Sequence, residues 1–154
     1  SRAPRLVDLA RKRAPKVRAP RVLRADGRAA RQLERLRPGD DSDLWHGARI
    51  TAKRARYAAE VGAPALGHAC RDLAYVWADI TDPLGEAQDA VIQRGLVLDR
   101  VSDPSLPLTA AEAFACGVFV ESTREREIAE HLRAHRVWDD VRGRHKRLRR
   151  ALAR

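Results

Sequence analysis

One stretch of this chain concentrates side chains suited to holding an anion. In LWHGARITAKRARYAAEV, residues 44 to 61, a helical rotation of about 100° per residue puts Arg49, Lys53 and Arg56 in one arc with His46, about 80° wide. Ala48, Ala52, Ala55 and Ala59 gather on a second strip between about 180° and 240° from His46, a smooth surface for a close helix contact. Ile50, Tyr57 and Val61 border the basic arc on its other side and are expected to form a second packing wall. Glu60 alone among the acids joins the arc. Guanidinium groups hold phosphate oxygens bidentately and are weakly hydrated, so such a stripe suits a phosphate-bearing partner.

Other chemistry-bearing groups are weaker. Asp82, Glu86 and Asp89 could serve a metal or acid-base step, but such acids more often fix arginines or cap a helix. His131 and His135, four apart with Glu127 a turn earlier, have a zinc-compatible spacing. Arg133 and Arg136 lie among them and no motif acid accompanies them, so no metal is expected. Cys70 and Cys116 have neither framework spacing nor a catalytic partner pattern, which points to a reducing, cytoplasmic compartment. No Gly-rich phosphate loop or serine-nucleophile elbow occurs. Neither catalysis nor a cofactor is therefore expected.

Charge is distributed unevenly around these groups. The 154 residues carry a net charge of +10. Residues 1–37 hold thirteen Lys/Arg against three Asp/Glu, and residues 142–154 hold seven against none. Residues 38–101 have seven bases for ten acids, and residues 102–141 have four for eight. Two basic ends around a mildly acidic middle describe a polyanion-binding surface. In the tail RGRHKRLRRALAR, Arg142, Lys146 and Arg149 share one helical side. That tail reads either as completing a basic groove or as a frayed end.

The elements that must position these residues read as helices. Aromatics are only 5% of the chain while Ala and Leu dominate its apolar set, a composition of close-packed helices. Prolines and caps divide the chain into helices at about 6–14, 21–36, 44–61, 65–80, 83–101, a long one capped by Thr109 to about 136, and a last at 137–152. Thr81, Asp82 and Pro83 are expected to start a helix, and Glu112 stands in capping-box position to Thr109. The expected architecture is an all-α, up-and-down bundle forming one domain over residues 1–154, with 1–40 a basic, proline-punctuated leading segment. No apolar run approaches bilayer length.

Residues 44–61 resemble the signature of the CHAD family, the conserved histidine α-helical domains. ITDPLGEAQDAVIQR at 80–94 looks like the family's second signature, and AEAFACGVFV at 111–120 with Trp138 is similar to its closing helices. The resemblance implies a domain of two pseudo-symmetric helical halves with a basic groove between them. It also implies binding of inorganic polyphosphate and, for some members, association with polyphosphate granules. Carried over by position, His46, Arg49, Lys53, Arg54 and Arg56 become contact candidates; the separate reading of the basic tail adds Arg142, Lys146 and Arg149. Arg54 stands outside the arc and is alternatively expected to meet Glu86 or Asp89.

Only the second-half signature is visible. With no Met in the sequence, the chain is expected to be processed or part of something longer, and a homodimer is the expected way to restore two halves. Thr81 replaces the family's usual Gln, and Pro83 interrupts what is normally continuous helix. The competing reading is a basic helical protein that binds nucleic acid, because net charge alone does not distinguish phosphate chains.

Overall fold

The fold comes from a computed structural model that describes residues 3–154, with side chains from residue 19 onward. Four helices account for nearly all of it: α1 (Ala3–Arg35), α2 (Ser42–Leu66), α3 (His68–Val101) and α4 (Ala110–Leu152). Each packs on the next, and α4 returns to α1. Bonds between residues 46 and 88 and between 59 and 70 set α2 antiparallel to α3. Pairs 94/127 and 72/144 do the same for α3 and α4. The all-α, up-and-down bundle expected from the sequence is the architecture observed.

Helix ends follow the capping rules, whereas helix interiors override the proline signals. Asp41 accepts the Asp43 N–H at 2.8 Å to begin α2. Thr109 and Glu112 form a reciprocal capping box at the start of α4. The break between α2 and α3 is the single residue Gly67, whose φ of +78° is readily adopted only without a Cβ. The expected stop at Gly62 and Pro64 is therefore displaced to Leu66.

Likewise α3 runs unbroken through Thr81, Asp82 and Pro83, which start no new helix. Proline denies the Asp79 carbonyl its helical donor, but the Pro83 ring is fully buried and Ile80 and Leu84 beside it are core residues. Packing on that scale outweighs one lost hydrogen bond. The expected division of α1 near Pro15 and Pro20 and of α4 near residue 136 is also absent, so seven short helices become four long ones.

Two aromatic clusters hold the bundle. In one, Trp77 stacks near Trp138 at 5.8 Å and meets the His145 ring edge-on. Around it lie Leu73, Val76 and Ile80, each 0% exposed. Toward the other end Trp45 stacks on His131 at 4.0 Å with rings 6° apart, and His135 approaches edge-on. The basic leading segment contributes Val22, Ala29, Ala30, Leu33 and Leu36 to the same core. Where α3 and α4 join, Leu96, Val101, Phe114 and Val118 are exposed. No helix among the described residues is long and apolar enough to cross a membrane.

Candidate functional site

The alanine strip of α2 orients the basic stripe. Ala48, Ala52, Ala55 and Ala59 are all buried, as their spacing predicts. Small side chains there let neighbouring helices approach closely, and the opposite arc of α2 is turned outward. His46 and Arg54 are exposed, while Arg49, Lys53 and Arg56 are half-buried. His46, Arg49, Lys53 and Arg56 thus lie together along one rigid helix.

Their partners differ. His46 donates from Nδ1 to Gln88 Oε1 at 2.6 Å, which ties the stripe to α3 and leaves Nε2 outside that bond. Arg56 donates from Nε to Glu60 Oε1 at 2.8 Å. That hydrogen bond raises its pKa, burial opposes it, and the fields of Glu60, Tyr57 and Asp82 reinforce it. Lys53 holds its Nζ 5.9 Å above the Tyr57 ring. Among the described residues Arg49, Lys53 and Arg54 have no acidic partner. The buried Nε of Arg49 makes no hydrogen bond there. A buried guanidinium nitrogen without an acceptor is a destabilised donor.

Three expectations need correction. Tyr57 and Val61 do not form a packing wall, since they are 50% and 71% exposed, so in this chain the stripe is an open edge of the bundle. Arg54 meets neither Glu86 nor Asp89. Asp82 is mid-helix rather than a cap, and its field reaches Arg56.

The tail residues do not join the α2 group. Arg149 reaches across to α1 and donates from Nη1 to Asp26 Oδ2. Arg142 stands 3.7 Å from Asp139 on its own helix. Lys146 is exposed on α4. Asp26, 0% exposed, is the centre of this second constellation: Oδ1 accepts Trp77 Nε1–H at 2.9 Å and His145 Nε2–H at 2.7 Å. Three helices thus converge on one carboxylate. A signal for it existed in the sequence, because Val22, Asp26, Ala29 and Leu33 recur at the spacing of one buried helical face.

His131 and Glu127 have structural partners. Glu127, 6% exposed, accepts from Ser42 Oγ and from Arg94 Nη2 at 2.6 Å. Burial lowers the His131 pKa to about 4, with Glu127 raising it and His135 lowering it further. His135 is also pushed down, again mainly by burial. Cys70 is buried and donates to the Ala59 carbonyl at 3.2 Å, and burial raises its pKa. A thiol so placed is a packing group rather than a nucleophile.

Comparison with known proteins adds one match. The family profile described as the CHAD domain matches residues 2–98, more than half of the chain. It covers α1, α2 and nearly all of α3, including the 44–61 and 80–94 segments, and leaves the 111–120 segment and the basic tail outside. No curated protein and no solved structure matches.

Proposed function

Because the chain belongs to the CHAD family, a family linked to polyphosphate binding, we propose that it binds inorganic polyphosphate without catalysis along the basic edge of α2. His46, Arg49, Lys53 and Arg56 are the contact residues, with Arg54 beside them. The observation that carries this reading is the pairing pattern within the stripe. Of its three permanent cations only Arg56 holds a carboxylate, and the inner nitrogen of Arg49 has no acceptor at all among the described residues. Like charges at helical spacing repel one another. A polymer with a charge on every unit relieves that repulsion along the whole row, which a single small anion does not.

Binding of this kind draws on counterion release, so affinity falls steeply with salt. By the relation established for nucleic acid phosphates, each contact contributes about 0.7 to 0.9 to the log–log slope. The triple variant Arg49→Ala/Lys53→Ala/Arg56→Ala is expected to lower long-chain polyphosphate affinity by about two orders of magnitude at low salt and to flatten the salt slope by about two to three. Circular dichroism should show the helical content unchanged, because Ala is the best helix former. Wild-type affinity in that variant refutes the site. Stronger competition by duplex DNA or RNA than by polyphosphate at fixed salt would instead assign the edge to nucleic acid.

A further inference from the structure

Helix α1 presents a longer row of cations than α2 does. Arg21, Arg24, Arg28, Arg31 and Arg35 are all exposed, and their alternating spacing of three and four residues places them on one face of a single helix. At about 100° per residue they share an arc of about 80°. At 1.5 Å per residue the row is about 21 Å long. Val22, Ala29, Leu33 and Leu36 bury the opposite side and so hold the row outward.

Acids near this row form no salt bridge with its arginines among the described residues. Asp26 lies in the core on Trp77, His145 and Arg149. Asp40 accepts the Arg37 backbone N–H at 2.7 Å. Glu34 stands outside the arginine arc. None of the five arginines has a salt-bridge partner among the described residues. Neighbours three and four apart repel, so the row weakens its own helix until an anion meets it.

Two shallow clefts line the seam between α1 and α2. One, about 400 Å³, is lined by Arg28, Arg31, Gln32, Arg35 and Leu44 and includes one acid, Asp40, which makes no salt bridge with these arginines. The second, about 490 Å³, takes Arg21 from α1 and Tyr57 and Val61 from α2. Thr51 Oγ1 donates to Gln32 Oε1 at 2.9 Å and ties the two helices together at the seam. Tyr57 belongs to both surfaces: it lines the cleft that holds Arg21, and its ring lies under Lys53 Nζ. The α2 stripe and the α1 row therefore adjoin across one exposed aromatic ring.

We propose that the α1 row is a second phosphate track, continuous with the α2 edge across Tyr57, so that one linear polyphosphate of sufficient length is held by both helices at once. The proposal rests on polyphosphate binding at α2. Its distinctive consequence is length discrimination. A short chain fills the α2 edge alone, whereas a long one gains a second, intramolecular attachment whose effective concentration multiplies the affinity.

The test compares polyphosphates of about five and about a hundred units on the full chain in three variants, the shorter matching the roughly 15 Å from His46 to Arg56. The first replaces Arg21, Arg24, Arg28, Arg31 and Arg35 with Gln, which preserves helix propensity. The second is the α2 triple-alanine variant. The third removes equal charge elsewhere by changing the exposed Arg71, Arg124, Arg136, Arg147 and Arg150 to Gln. The α1 variant should keep short-chain affinity within about twofold while losing at least about tenfold for the long chain, with a flatter salt slope.

The equal-charge control should leave long-chain affinity within about twofold. Equal losses at both lengths, no loss at either, or the same long-chain loss in the control overturns the second track. Unaltered short-chain binding in the α2 variant overturns the α2 reading instead, a different outcome from a different variant. If five substitutions unfold α1, the pair Arg28→Gln/Arg31→Gln is expected to show the same length dependence at reduced size.

Discussion

Acidification should weaken this bundle through His131, and the size of the effect follows from its surroundings. The imidazole is 5% exposed and lies flat against Trp45 at 4.0 Å. Burial is the main reason its pKa falls from 6.5 to about 4, despite the opposing carboxylate of Glu127. Above about pH 6.5 the ring is neutral whether the chain is folded or not, so it adds no pH dependence there. Between about 6.5 and 4 the unfolded chain takes up a proton that the folded chain refuses, and stability drops as pH falls. Below about 4 both states are protonated and the loss is complete. At about 1.4 kcal/mol per pH unit the gap corresponds to on the order of 3 kcal/mol.

Urea unfolding followed by tryptophan fluorescence across this range, in wild type and His131→Phe, isolates the group. Phenylalanine keeps an aromatic ring against Trp45 and removes the titration. Glu127, His135, the surface carboxylates and the rising net charge are common to both proteins. The wild type should lose stability more steeply than the variant by roughly the amount above, with the two curves running parallel above about pH 7. Parallel curves across the whole range would show that His131 titrates normally and refute the reasoning.

Two further outcomes follow from the packing. Asp26→Ala leaves Trp77 Nε1, His145 Nε2 and Arg149 Nη1 without their shared acceptor, and should lower stability by on the order of 3–5 kcal/mol in chemical denaturation. A loss below about 1 kcal/mol would mean that the three donors find other partners. Thr109→Ala removes the hydroxyl half of the α4 capping box, worth about 1 kcal/mol locally. Because Ala110–Ala115 are exposed, the effect should show as faster amide exchange in the first turn of α4, with little change in the global midpoint. Unchanged exchange there would contradict the cap.

The amino-acid sequence alone determined the helical class, the buried alanine strip of α2, the capping box at Thr109 and Glu112, and the gathering of His46, Arg49, Lys53 and Arg56 on one face. Each depends on residues within a few turns of one another, where spacing and local hydrogen bonding decide. The sequence also marked Pro64 and Pro83 as breaks, and there the burial of Gly62, Ile80, Pro83 and Leu84 prevailed over a local rule. Which cations are neutralised was a matter for tertiary structure. Arg149 and His145 belong to a basic tail in the sequence, yet across 123 and 119 residues they meet Asp26. Arg49 and Lys53, with acids nearby in the chain, meet none. Charge pairing depends on which helix faces lie side by side, and that is fixed only when four amphipathic helices share one core.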